Sequence, residues 1–140
     1  MKAQVIDAGV VAAAFFQEKH AAPAQALLTS GQELCAPDLI IAEVGNVVWK
    51  RCARGEIDKA EAADLLRDIL QLPFNLTPSR ELAPEALELA IRTRCTVYDC
   101  LYLALAVKTQ SVMLTTDRRL LRLLAETPLA ESIVCLGGQT

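Results

Sequence analysis

The chain is predicted to fold as an α/β protein of three layers, α/β/α, around a mainly parallel central sheet, and three observations predict it. Apolar periodicity switches repeatedly between strand-like and helix-like along the 140 residues, with no repeat, low-complexity tract or Gly/Ser linker between segments. The strand candidates are short and separated by helical stretches, so they cannot pair as tight hairpins and must be joined by crossovers. Two of them, Val5-Ile6-Asp7 and Met113-Leu114-Thr115-Thr116-Asp117, end alike in an aspartate. In a parallel sheet both acids arrive at the carboxyl edge, where ligands of such folds gather.

Taken in order, Lys2 to Ile6 reads as a short buried strand and Val10 to Phe16 as an apolar helix behind it. His20 to Ser30 is a second helical segment. Glu33 to Ala36 suits a short strand, after which Pro37 falls where a helix's first turn tolerates proline, with Asp38 at its positive end. Leu39, Ile40, Val44, Val47 and Val48 recur at three- and four-residue intervals, so this helix is long, and Gly55 stops it. Asp58 caps the next helix, whose apolar face is Ala62, Leu65, Leu66, Ile69 and Leu70, and Pro73 ends it. Phe74 to Leu76 predicts a strand, Pro78 and Ser79 a turn, and Glu85 to Arg94 a helix. Proline inside a helix costs about 3 kcal/mol, which places Pro84 in that helix's first turn. A helix from Asp99 to Lys108, a strand from Ser111 to Leu114, a helix from Arg118 to Ala125 and a strand from Ser132 to Leu136 complete the chain.

Length and an apolar content of 53% suit one core, hence one domain spanning residues 1–140. No uncharged apolar run reaches the ~18 residues of a membrane span. Val10 to Phe16 is followed by no small-residue cleavage site, so a soluble, cytoplasmic protein is expected. The five cysteines are odd in number, form no CxxC pair and have only His20 to join them, which argues against zinc. They read as small buried hydrophobes in a reducing compartment. A net charge of −3 argues against gripping nucleic acid by a general positive field. Any polyanion must be held locally, by Lys50-Arg51-x-x-Arg54, Arg92-x-Arg94 or Arg118-Arg119-x-x-Arg122, each of which also reads as a solvated helix end.

Two further acids belong to helices. Glu43 lies among Ile40, Ile41, Ala42 and Val44, and with Asn46 and Lys50 it forms a polar stripe on an otherwise apolar helix. Asp99 adjoins Leu101, Leu103, Ala104, Leu105 and Ala106, where an ionised carboxylate needs a partner. Singly, Asp7, Asp99 and Asp117 also read as helix N-caps and Glu43 as a surface residue. Together, four acids at one sheet edge repel one another, and such an arrangement persists when a cation neutralises it. All-oxygen ligands favour Mg²⁺ or Mn²⁺, and a divalent ion on carboxylates suits phosphodiester hydrolysis by an activated water. The sequence offers no Ser-His-Asp set, P-loop or GxGxxG to support another chemistry.

Four stretches, in this order and spacing, resemble the PIN domain family, and in particular the VapC-type toxins of bacterial and archaeal toxin–antitoxin pairs. They are Val5-Ile6-Asp7-Ala8-Gly9-Val10, the helix from Pro37 through Glu43 and Asn46 to Lys50, Tyr98-Asp99-Cys100-Leu101-Tyr102-Leu103-Ala104-Leu105-Ala106, and Leu114-Thr115-Thr116-Asp117-Arg118-Arg119-Leu120. The resemblance implies that Asp7, Glu43, Asp99 and Asp117 are catalytic and hold the metal, with Thr115 or Thr116 supplying a supporting hydroxyl and Asn46 a polar position beside the site. It implies an endoribonuclease that uses Mg²⁺ or Mn²⁺ to cut RNA, a homodimer, and a small antitoxin that packs on the early helices, with Phe15 and Phe16 as groove candidates that, as a helix-face pair, read first as core. Lys50, Arg51, Arg118 and Arg119 are the candidates for phosphate contacts, since forked guanidinium donors match phosphate geometry. One position departs from the family: relatives commonly carry serine two residues after the first aspartate, where this chain has Gly9. That departure motivates a second expectation, a catalytically weak or inactive PIN-fold module that binds RNA or protein. A receiver or aspartyl phosphatase fits poorly, because Gly9 stands where a second acid belongs and no lysine closely follows Leu114.

Overall fold

A computed structural model describes residues 3–136. Its strands are β1 (Gln4–Ile6), β2 (Leu34–Pro37), β3 (Phe74–Thr77), β4 (Val112–Thr115) and β5 (Ile133–Cys135). Its helices are α1 (Ala8–Phe15), α2 (Ala21–Leu28), α3 (Leu39–Ala53), α4 (Lys59–Leu70), α5 (Ser79–Thr93), α6 (Val97–Lys108) and α7 (Arg118–Leu124), with a 3-10 turn at Pro128–Ser132 before β5. The strands form one sheet in the order β3-β2-β1-β4-β5, and every neighbouring pair is parallel. The three-layer α/β/α arrangement predicted from the crossovers is the one observed.

Strand order fixes where a site can form. From β1 the chain builds outward through β2 and β3, then returns to place β4 on the other side of β1, so the direction of winding reverses between β1 and β4. Crossovers diverge at such a point and leave a crevice beyond the carboxyl ends of the two strands. The register sets Ile6 opposite Leu114, which brings Asp7 and the Thr115–Asp117 turn to the same edge.

The hydrophobic centre is α6, which packs on β1, β2 and β4 while α5 covers it from outside. Cys100 to Ala106 are all buried. A helix enclosed on every side needs no polar stripe, which is why this segment reads as continuously apolar. Leu103 and Ala104 are fully buried, as are Val5 and Ile6 of β1. Four cysteines are buried, Cys52 is partly exposed, and all five are free thiols. No helix among the described residues is long and apolar enough to cross a membrane.

Three local expectations are corrected. Pro37 ends β2, paired with Thr77, instead of opening a helix; at a strand's last residue the missing N–H breaks little of the ladder, and the next amide, Asp38 N–H, donates to Thr77 O at 2.9 Å. Pro84 lies inside α5, which begins at Ser79, six residues earlier than expected. Ser79 is anchored there by its backbone N–H and hydroxyl, which donate to Asp38 Oδ1 at 3.0 and 2.5 Å. Burial of Leu82 and Ala86 on either side of the proline offsets the one lost helical bond. Finally, α6 starts at Val97 with Thr96 as its cap, so Asp99 stands in the first turn instead of opening the helix. Lys2, expected in the first strand, is outside the described residues.

Candidate active site

Asp7 leaves β1 in extended conformation (φ −88°, ψ 170°) and caps α1, its Oδ1 accepting from Val10 N at 3.0 Å. Its Oδ2 accepts a short hydrogen bond from the Thr115 hydroxyl. Thr115 ends β4 and is the one buried polar residue among those described, at 0% exposure. The same Thr115 Oγ1 accepts from Asp117 N at 3.0 Å. One hydroxyl therefore ties together the ends of the two strands that flank the crevice. Asp117 in turn caps α7, with Oδ1 accepting from Arg119 N at 3.0 Å and Leu120 N at 3.1 Å. Both strand-end aspartates are thus helix caps that also stand at the carboxyl edge of the sheet.

The helical acids face them. Glu43, in the second turn of α3, accepts from the Tyr102 hydroxyl at 2.5 Å, and Tyr102 is only 2% exposed. Asp99 is partly buried in the first turn of α6, where Thr96 Oγ1 accepts from its backbone N–H at 3.1 Å.

Electrostatics shows that these groups share one field. Burial raises Asp7 from 3.8 to about 6; the bonds from Thr115 and Val10 oppose the rise, and the charges of Glu43 and Asp99 add to it. Burial also raises Glu43, offset by the Tyr102 bond and reinforced by Asp99. Asp99 is raised by burial and by Asp117, against the pull of the Arg119 cation. All four predicted acids therefore belong to one linked set, and the Arg119 cation acts on Asp99. Among the described residues, no three His, Cys, Asp or Glu side chains close into a ready-made metal cage.

The supporting residues fall into two groups. Asn46 and Glu43 line a cavity of about 350 Å³ with Ala8, Leu39, Ala42, Val47 and the exposed ring of Tyr98. Thr116 Oγ1 lies beside Gly9, 2.6 Å from where a Cβ on that residue would stand. Lys50, Arg118 and Arg119 are wholly or partly exposed. Arg51 is already engaged: it bridges Glu18 and Glu56, and its guanidinium stacks 4.5 Å over the Phe16 ring. Phe15 lines a separate apolar groove of about 260 Å³ with Ala14, Gln25, Leu28, Thr29 and Leu72.

Residues 5–125 match the PIN domain family. The chain belongs to that family. This PIN domain is 34% identical over 118 residues to Ribonuclease VapC3 of Pyrobaculum aerophilum, a match covering 83% of this chain and 90% of that protein. Its fold is similar to the crystal structure of PAE2754 from Pyrobaculum aerophilum, with a TM-score of 0.71 at 26% identity, covering 96% of this chain and 91% of that one. A toxin-antitoxin complex from Klebsiella pneumoniae shares the fold at 17% identity, with a TM-score of 0.66 and coverage of 94% and 95%.

Sequence reasoning passed over one residue of this PIN domain's site, Tyr102. It sits in an apolar run and reads as core, yet its position three residues after Asp99 places it on the same helix face. A buried tyrosine hydroxyl requires a partner, and that requirement was the available signal. Tyr102→Phe is expected to lower unfolding free energy by about 1 kcal/mol, because Glu43 loses a donor that water only partly replaces. Urea denaturation measures it, and an unchanged midpoint would show that the bond contributes nothing.

Proposed function

We propose that this PIN domain is a divalent-metal-dependent endoribonuclease and the toxin of a VapBC-type pair. The observation that carries the proposal is the linked set Asp7, Glu43, Asp99 and Asp117, gathered around the point where the sheet reverses its winding. Similarity to Ribonuclease VapC3 supports RNA as the substrate.

The donor set fits Mg²⁺ or Mn²⁺. Its atoms are carboxylate oxygens, of Asp7, Glu43 and Asp99 partly buried and of Asp117 exposed, mutually repulsive and linked to no lysine or arginine ion pair among the described residues. Mg²⁺ commonly keeps several waters and uses only one or two carboxylates, so a set that does not close into a full cage still suits it. Asp7, Glu43, Asp99 and Asp117 would hold the ion. When bound, the ion would lower the pKa of a coordinated water and screen charge on the phosphate oxygens.

The chain's own groups do the rest. Thr115 fixes Asp7 against β4, Tyr102 fixes the Glu43 carboxylate, and Arg119 offers a cation near Asp99 for a phosphate oxygen. Lys50 and Arg118 remain further phosphate candidates. Arg51, held by Glu18 and Glu56, suits the phosphate role less well. The Tyr98 ring beside Glu43 and Asn46 suits an unpaired base, since single-stranded RNA is read by aromatic stacking and amide hydrogen bonds. The apolar groove at Phe15 supports a docking place for an antitoxin helix, in a cytoplasmic homodimer of one domain per chain.

Purified protein is expected to cut a circular single-stranded RNA with Mg²⁺ or Mn²⁺ present and to stop on chelation. A circle has no ends, so its cleavage separates an endonuclease from an exonuclease. If linear RNA is degraded and circles survive, the activity is exonucleolytic; if both survive with metal and without antitoxin, the module binds without cutting.

A further inference from the structure

Gly9 follows Asp7 by two residues at the start of α1, and the structure shows what fills the space a side chain there would take. A Cβ built on Gly9 would stand 2.6 Å from Thr116 Oγ1 and 3.3 Å from Asp7 Oδ1. Real Cβ atoms do not approach an oxygen at the first of these distances, so the Thr116 hydroxyl occupies its place only because residue 9 has no side chain. Gly9 lies within α1 without a left-handed backbone, so conformational freedom does not explain the glycine there. Space explains it.

The surroundings define what that hydroxyl can do. Thr115 already bonds Asp7 Oδ2, and Val10 N already bonds Oδ1. Thr116 is the next residue of the same turn and is partly exposed, and its Oγ1 borders the space over Gly9 that Asp7 Oδ1 also borders. None of the side-chain hydrogen bonds among the described residues uses it. A hydroxyl that borders the space over Gly9 together with the Asp7 carboxylate, and makes no side-chain hydrogen bond among the described residues, is placed to hold a water of the cation's hydration shell.

We propose that Thr116 is a positioning residue whose hydroxyl does, from the turn after β4, the work a residue-9 hydroxyl would do from α1, and that Gly9 exists to admit it. This rests on the metal-dependent reading above. It also removes the ground for treating Gly9 as a mark of a degenerate site: the hydroxyl has been moved, not lost.

The test is Mn²⁺ binding to purified, metal-free protein by titration calorimetry, with thermal melts confirming that each variant is folded. Thr116→Ala and Gly9→Ala remove one and the same hydroxyl, the first by deletion and the second by displacement. Each is expected to weaken binding about tenfold, as loss of a supporting hydrogen bond at a metal site does. Combined, they should weaken it no more than either alone, to within about twofold, because the second change has nothing left to remove. Thr116→Ser should bind as the parent does. Gly9→Ser with Thr116→Ala, which supplies a hydroxyl from residue 9 and the room for it, should recover most of the loss. Multiplying effects in the alanine pair, or no recovery in the serine-containing pair, would overturn the exchange between the two positions while leaving the metal reading intact. A parent protein that takes up no Mn²⁺ would overturn both.

Discussion

Asp7→Asn is expected to reduce RNA cleavage by at least about a hundredfold, the order of loss for one essential charge-stabilising group in an active site. The same substitution is expected to make the metal-free protein more stable at neutral pH. In the folded chain Asp7 is raised from 3.8 to about 6, chiefly by burial, so the native state holds the proton more tightly than the unfolded one. A raised carboxyl destabilises the native state fully above pH 6, progressively less as pH falls from 6 towards 3.8, and not at all below that. The ceiling of the penalty is about 3 kcal/mol. Part of it returns on substitution, because an amide cannot accept from both Thr115 and Val10 as well as a carboxylate does. Melting curves of parent and variant at pH 7.5 and pH 4 measure the difference, which should narrow at the lower pH. For the parent, Mn²⁺ affinity should rise with pH through 6, as the ion displaces a proton. Cleavage by Asp7→Asn at the parental rate would end the assigned mechanism.

Thr115→Val should have the second largest effect, and on stability as well as activity. Its hydroxyl is fully buried, donates to Asp7 Oδ2 and receives the N–H of Asp117. Valine matches the shape and leaves both partners without their bond, at a cost of about 2–4 kcal/mol for two stranded polar groups. The lost donor also pushes Asp7 further upward, since the Thr115 bond is the largest influence holding it down. Metal uptake should therefore require a higher pH than in the parent. Thr115→Ser keeps the hydroxyl and should restore both properties. Urea midpoints and the pH profile of Mn²⁺ binding test this together, and a valine variant that differs from the parent only in stability would confine Thr115 to a structural role.

Much of the site was legible because its residues conflict with their neighbours. Asp7 and Asp117 end apolar runs, while Glu43 and Asp99 interrupt them, and a carboxylate in such company needs a reason. Tyr102 escaped notice because a tyrosine in an apolar run creates no conflict; only its hydroxyl does, and the partner lies 59 residues away. The partners of Arg51 were hidden from the sequence for a different reason. A basic pair at a helix end suggests an anion contact, whereas Glu18, which claims it, belongs to the turn after α1. Pro84 was placed by local propensity, and burial of Leu82 and Ala86 outweighed that propensity.

By itself the sequence determined the alternation of strands and helices, the parallel sheet and the two aspartates at its carboxyl edge, because periodicity and chain polarity are local properties that no distant contact alters. The tertiary structure alone decided that β4 lies next to β1, and thereby that Thr115 binds Asp7 and Thr116 fills the space over Gly9. Those contacts join residues more than a hundred positions apart, and what selects them is the burial of α6 against β1, β2 and β4, a sum over the whole core that no single segment carries.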